Sequence, residues 1–156
     1  AGEKGAIEIY KGQLAIIKDK SLSKEIKIML KKEEEHLKKF SELIVKYKAR
    51  PTILDPVWRV GAFSLGVISA ALGKKATMAC TEAVEEVIIE HYESQTKYLK
   101  GKDETLRKVT EKFAADEKNH MQIAKDYDTG NDPFHRTFKL SVKALSKIAI
   151  KISQKI

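Results

Sequence analysis

Apolar residues recur at three- and four-residue steps in six stretches of the chain, the spacing that puts side chains on one face of a helix. The first, about Glu3 to Lys18, places Ile7, Tyr10, Leu14 and Ile17 in this way. After a turn at Asp19 to Ser21, a longer stretch starts near Ser23 and reaches about Lys48, with Ile26, Leu30, Leu37, Phe40, Leu43 and Ile44 on its apolar side. Ala49-Arg50-Pro51 ends it, because the residue before a proline is pushed out of helical geometry. Asp55-Pro56 predicts a helix start, with Asp as cap and Pro at the first helical position, and Gly73 stops the segment at Leu72. A fourth helix is expected from roughly Thr77 to Leu99, ending at Lys100-Gly101. Asp103 opens a fifth that lasts to about Tyr127. Thr129-Gly130-Asn131 breaks the chain, and Asp132-Pro133 starts a sixth helix that runs to Ile156.

The third and sixth segments differ from the others. Val57 to Leu72 carries only Arg59 as a charge, yet it is shorter than the roughly 20 residues that cross a bilayer core and is interrupted by Gly61 and Gly66. Two readings stay open for it, a buried core helix and a helix lying at a membrane surface. In the sixth, Phe138, Val142, Leu145, Ile148 and Ile152 are expected to face one way, while Lys139, Lys143, Lys147, Lys151 and Lys155 recur every four residues on another side. That basic amphipathic pattern favours the membrane surface.

Composition narrows the class. The 156 residues suit a single domain spanning 1–156, and 42% hydrophobic content is too much for a disordered chain. Few Gly and Pro, with abundant Ala, Leu, Ile, Lys and Glu, argue against an all-β sandwich. One cysteine, Cys80, permits neither an internal disulfide nor a zinc cluster, which fits a reducing compartment. The net charge of +8 invites a nucleic-acid partner, but all except four of the 30 basic residues are Lys and no recognition motif is present, so none is expected. A solvated lysine surface or anionic headgroups account for the same charge. Ala1 in place of Met is read as the loss of upstream residues.

The chemistry lies in two Glu-x-x-His pairs, Glu33 with His36 and Glu117 with His120, each one turn apart on a helix face and able to reach a single ion. Glu3 precedes Glu33, and Glu85 precedes Glu117, by similar intervals that each contain one turn near the middle. In an antiparallel helical hairpin, residues equally far from the turn lie at the same height. Glu3 therefore meets Glu33 and His36, and Glu85 meets Glu117 and His120. A Glu from each of two helices with Glu-x-x-His from the other two is the ligand set of ferritin-like di-iron carboxylate bundles. Solvated carboxylates in Lys/Glu-rich helices are the alternative, accepted for Glu34 and Glu35. Tyr10 and Tyr92 each lie seven residues beyond a ligand Glu, on the same face, where packing or a hydrogen-bond role beside the site would place them.

Several stretches resemble the demethoxyubiquinone hydroxylase family: Ala1-Gly2-Glu3-x-Gly5-Ala6, Arg50-Pro51-Thr52, Pro56-x-Trp58, Ala71-Leu72-Gly73-Lys74, Met78-Ala79-Cys80-Thr81, Ala83-Val84-Glu85-Glu86 and His91-Tyr92. The resemblance spans essentially the whole chain. It implies a monooxygenase with two ferrous ions and O2 as co-substrate that hydroxylates the ring of a polyprenyl benzoquinone precursor late in ubiquinone synthesis. By the same resemblance Glu3, Glu33, His36, Glu85, Glu117 and His120 take the metal and catalytic positions, and Tyr92 matches a tyrosine beside the quinone. It departs from the family at Lys4, where an aromatic residue is usual, in a shorter loop near Gly101 and in the residues missing before Ala1, so that a helix beginning at Glu3 is expected to fray and hold metal weakly.

The expected architecture is all-α: a ferritin-like four-helix bundle (segments one, two, four and five) with two additional helices, one in the crossover and one C-terminal. The expected location is peripheral, at the cytoplasmic face of a bacterial inner membrane or the matrix face of the mitochondrial one. Its partners are a polyprenyl quinone, the membrane surface and other ubiquinone-synthesis proteins, and the electron donor is left undetermined. Two rivals remain: a ferroxidase or iron-storage subunit with the same ligands, and a non-enzymatic helical membrane-binding module without metal. A rubrerythrin-like carrier is disfavoured because one cysteine cannot build its iron-thiolate centre.

Overall fold

In the computed structural model, residues 2–48, 52–127, 129–130 and 132–155 are described. They form six helices, α1 (Gly2–Ile16), α2 (Lys20–Tyr47), α3 (Asp55–Ala71), α4 (Lys74–Leu99), α5 (Glu104–Asp126) and α6 (Pro133–Ser153), with no strand among them. The all-α expectation is met. The expected stop at Ala49-Arg50-Pro51 and the Asn131 part of the last break lie outside the described residues, although α2 already ends at Tyr47 with Lys48 in the left-handed conformation at φ 51°.

Local signals acted mostly where expected. Asp19 caps α2 by accepting from the Leu22 backbone N–H at 2.8 Å, so that helix starts at Lys20, earlier than Ser23. That bond, with Lys74 also nearby, holds the Asp19 carboxyl below its usual range. Asp103 caps α5 in the same geometry, accepting from the Leu106 amide at 2.8 Å. The His135 ring, 2.7 Å from Asp132 Oδ2, is the main cause that holds this carboxyl below its usual range, and Oδ1 also accepts from the His135 and Phe134 amides at 3.2 and 3.1 Å. At α3 the helix does start at Asp55-Pro56 with Pro in its opening turn, but Asp55 is not the cap. Its cap is Leu54, without a side-chain bond, and the Asp55 carboxylate instead pairs with Lys4 of α1 at 3.0 Å. Helix α4 begins at Lys74 because Gly73, at φ 104°, ends α3 and restarts the chain directly, with Thr77 donating both its amide and its hydroxyl to the Gly73 carbonyl.

The chain divides into two compact units, Ala1–Thr77 with Lys147–Ile156, and Met78–Ser146. In the first, α1 packs on α2 and, more extensively, on α3. Ala6, Ile7, Ile9 and Tyr10 of α1 are buried there, as are Leu22, Ile26 and Met29 of α2. The α1–α3 crossing is a backbone contact. A Cβ on Gly12 would stand 2.2 Å from the Phe63 carbonyl oxygen, and one on Gly66 2.1 Å from that of Ile9. Buried Gln13 reinforces the junction, donating to Ser69 Oγ at 3.3 Å and to the Thr77 carbonyl at 3.2 Å. Only Gly66 and Ser69 of α3 are buried, while Val57, Val60, Phe63 and Ile68 are exposed. The core-helix reading of this segment therefore does not hold. No helix among the described residues is long and apolar enough to cross a membrane.

In the second unit α4 is buried nearly all round, from Met78 through Ile89, with Phe113, Ala114 and Ala124 of α5 and Val142 of α6 also buried. Helix α6 is oriented differently from the expectation. Lys139 and Lys143 turn toward α4 and pair with Glu82 at 3.3 Å and Glu86 at 2.5 Å, whereas Leu145 and Ile148 are exposed. Two carboxylates one turn apart on α4 meet two ammonium groups one turn apart on α6, and of the expected apolar side Val142 stays buried beside them.

Candidate metal centre

In the first unit, Glu3 sits in the opening turn of α1, and Glu33 and His36 lie one turn apart on α2. All three are buried, Glu33 completely. The His36 Nδ1 lies 3.4 Å from Glu3 Oε2 and 3.9 Å from Glu33 Oε2. In the second unit, Glu85 comes from α4, and Glu117 and His120 from α5. Glu85 and Glu117 are completely buried, and His120 Nδ1 lies 3.0 Å from Glu117 Oε2 and 4.0 Å from Glu85 Oε1. Within each triad the ligand atoms lie within 4.8 Å of one another. Both expected hairpin meetings thus occur, each inside its own unit. Glu34 and Glu35 are exposed, as accepted from the sequence.

The two triads repeat in their surroundings. Tyr10, seven residues beyond Glu3, donates its hydroxyl to Met29 Sδ at 4.0 Å; Met29 is four residues before Glu33. Tyr92, seven residues beyond Glu85, sets its ring edge-on to Phe113 at 6.1 Å between centroids; Phe113 is four residues before Glu117. Both tyrosines are buried. One local plan, a Glu and a Tyr on the first helix and an apolar residue with Glu-x-x-His on the second, therefore serves each hairpin.

Each triad could hold a divalent ion. Two carboxylates withdrawn from water beside one imidazole concentrate negative charge that a dication would offset. Oxygen and imidazole donors without thiolate suit iron or manganese of the carboxylate-bundle kind. The residues present fit the group that the sequence implied.

The family model for "Ubiquinone biosynthesis protein COQ7" matches residues 1–153. The chain belongs to this family. It is 42% identical over 159 residues to a Dictyostelium discoideum protein named NADPH-dependent 3-demethoxyubiquinone 3-hydroxylase, mitochondrial, covering all of this chain and 73% of that one. It is 38% identical over 157 residues to the 3-demethoxyubiquinol 3-hydroxylase of Rhodospirillum rubrum, covering 100% of this chain and 74% of that one. A Saccharomyces cerevisiae relative named 5-demethoxyubiquinone hydroxylase, mitochondrial, is 32% identical over 173 residues, again covering all of this chain and 74% of its own length. The COQ7 fold class is a ferritin-like helical bundle, in agreement with six helices here. Membership gives the class of activity as hydroxylation in ubiquinone biosynthesis, in place of a ferroxidase or a non-enzymatic module.

Sequence reasoning missed the residues that fix α6, Glu82 and Glu86, although their four-residue spacing mirrors that of Lys139 and Lys143. It also read Gly66 as an interruption when its role is the close approach of α1.

Proposed function

We propose that residues 1–156 act as one di-iron monooxygenase domain that hydroxylates the ring of a demethoxy polyprenyl quinol. The observation carrying this reading is the duplicated buried triad in a COQ7 chain. Glu3, Glu33 and His36 would hold one iron, and Glu85, Glu117 and His120 the other. When bound, the pair supplies activation of dioxygen, with one oxygen atom going to the ring and the other to water.

The chain's own residues do the rest. Apolar neighbours such as Met29, Phe113 and Ala114 keep water from the carboxylates, so their charge acts at full strength on a bound cation. Tyr92 would donate a hydrogen bond to an oxygen of the quinol, orienting its ring. Exposed Val57, Val60 and Ile68 of α3 and Leu145 and Ile148 of α6 would lie in the headgroup region of a membrane, where the prenyl tail resides. Lys147 and Lys151 on α6 and Lys155 just beyond its end, all exposed, would add attraction to anionic lipid. The location that follows is peripheral, on an inner membrane, beside other ubiquinone-synthesis proteins. Several relatives are named NADPH-dependent, and electrons originating from NADPH are proposed here too.

A single-turnover experiment tests the reading. Iron-loaded protein and reduced quinone precursor are mixed without oxygen, 18O-labelled O2 is admitted, and the products are resolved by mass. One labelled oxygen atom on the ring is expected. Iron oxidation and oxygen uptake with an unaltered ring would mean ferroxidase chemistry and would end the proposal.

A further inference from the structure

Lys4, Glu8 and Gly12 stand at four-residue steps on α1, and Asp55, Arg59 and Phe63 do so on α3. That spacing makes one stripe on each helix. The stripes meet rung by rung. The Lys4 ammonium lies 3.0 Å from Asp55 Oδ1, Arg59 donates from Nη2 and Nε to Glu8 Oε1 at 3.2 and 3.4 Å, and Gly12 abuts the Phe63 carbonyl with no room for a Cβ. Partners ascend together along both stripes, so α1 and α3 run in the same sense. The two ionic rungs have opposite polarity: α1 supplies the cation in the first and the anion in the second.

Opposite polarity fixes register. A slip of α1 by one turn in one direction sets Lys4 against Arg59, and a slip in the other sets Glu8 against Asp55. Either slip exchanges attraction for like-charge repulsion. The other charge pairs on the molecule lack this property. Lys39 with Glu42 and Arg107 with Glu104 lie within single helices. Between α4 and α6, Glu82 and Glu86 both face lysines, so a one-turn slip there still sets a carboxylate against an ammonium.

Register matters because of Glu3. It precedes Lys4 by one residue and so points about 100° away around α1, where its carboxylate lies 3.4 Å from His36 Nδ1 of α2. A one-turn slip carries Glu3 about 5.4 Å along the helix axis. That exceeds the 4.8 Å within which the ligand atoms of the triad now lie. The glycine contact leaves this end of α1 to other restraints, since Gly12 is nine residues from Glu3, about 13.5 Å of helix. A first turn also lacks a preceding turn to bond its amides. Lys4 and Glu8 supply ties to α3 in the stretch between Glu3 and the glycine.

We infer that Lys4, Glu8, Asp55 and Arg59 are positioning residues for the candidate centre: their two ion pairs lock the register of α1 on α3 and thereby hold Glu3 opposite Glu33 and His36. This rests on the di-iron reading above for what Glu3 would bind, whereas the register belongs to the metal-free chain.

The test is a cycle of four full-length proteins: wild type, D55K/R59E, K4E/E8K and the combination of all four changes. Each double change transposes the charges of one stripe and leaves the net charge of the chain unaltered. Ferrous ion is titrated into each without oxygen and followed by calorimetry. Both double variants should bind one of the two irons about fivefold more weakly or worse, with the other unchanged, and the combination should recover at least half of the logarithmic loss. Nitroxide labels at Gly5→Cys, where a side chain meets open space, and at exposed Glu34→Cys read the placement of α1 on α2 in the metal-free proteins. Their distance distribution should shift or broaden in the double variants and return in the combination. If charge transposition unfolds the chain, D55N/R59Q replaces it, with a loss of the same sign and about twofold or more. Unchanged iron affinity and unchanged distances in the double variants overturn the proposal. A loss that the combination fails to restore does so too, because the pairing would then not be its cause. Absence of iron from wild type would end the di-iron reading, and the nitroxide distances would still decide the register.

Discussion

The Lys139 ammonium lies 3.3 Å from the Glu82 carboxylate, and both side chains are largely withdrawn from water. Thr129 completes the cluster, its hydroxyl bonding the same carboxylate oxygen and lying 3.4 Å from the ammonium. Replacing Lys139 with Met would leave a carboxylate uncompensated in a poorly solvated place. Breaking a buried pair in this way costs about 3 kcal/mol or more. Urea unfolding should show that loss in Lys139→Met and a partial recovery in the double change with Glu82→Leu. Equal stabilities for all three proteins would reduce the pair to a surface contact.

The crossing of α1 and α3 makes a second prediction. Gly66→Ala puts a methyl 2.1 Å from the Ile9 carbonyl oxygen, an atom that cannot swing aside because it belongs to a helix backbone. The helices must separate, at a cost of about 1–3 kcal/mol typical of overpacking. Gly61→Ala meets nothing within 4 Å and should be neutral or slightly stabilising, since alanine favours a helix more than glycine does. Thermal unfolding of the two variants side by side gives the answer, and a Gly66 variant as stable as the Gly61 one would contradict the geometry.

These positions also show what could be read without coordinates. Helix number, most boundaries and both triads follow from spacing, because ligands that share a hairpin are placed by local geometry and the position of the turn. The role of Gly66 did not follow: it depends on which helix crosses there, and a glycine in an apolar stretch looks like a breaker whether or not another backbone approaches. The orientation of α6 was lost for a related reason. Its lysines suit solvent as well as they suit Glu82 and Glu86, so only the placement of α4 decides. At Asp55 the local rule for a cap was overridden by a cation, Lys4, supplied from a different helix.

For the metal, Glu85→Ala and Glu117→Ala should each reduce bound iron from two per chain and abolish turnover. Each removes one of the two carboxylates of a triad, and the two triads together supply the six ligands that would hold the pair. Glu34→Ala, at an exposed position on α2 beside Glu33, should retain full occupancy. Metal analysis after desalting decides between them, and undiminished iron in the Glu85 and Glu117 variants would remove those residues from the site.

Membrane association is expected to need the outer faces of α3 and α6. Wild-type protein should float with anionic vesicles in low salt, less so as salt screens the lysines over a Debye length of about 8 Å near 0.15 M. Val60→Glu with Ile148→Glu places carboxylates on both exposed faces and should leave the protein at the bottom of the gradient in low salt as well. Flotation equal to wild type would exclude these faces as the contact.

Tyr92 separates packing from substrate recognition. Its ring is buried edge-on to Phe113, and it lies about two turns along α4 from Glu85 on the same face. Phenylalanine keeps the ring and that contact while deleting the hydroxyl, so Tyr92→Phe leaves no large cavity and tests a hydrogen bond. If the phenol orients the quinol, losing it should cost about 0.5–1.5 kcal/mol in the transition state, roughly a two- to tenfold fall in kcat/KM. Iron content should remain at two per chain. Tyr10→Phe supplies the internal comparison, because Tyr10 holds the equivalent place in the first hairpin with its hydroxyl on the Met29 sulfur. A fall in kcat/KM at Tyr92 alone, with iron intact in both, assigns the quinone to the second hairpin. Unchanged kcat/KM in Tyr92→Phe would make that residue core packing, and loss of iron from it would place the phenol in support of the metal ligands, with the quinone assignment withdrawn.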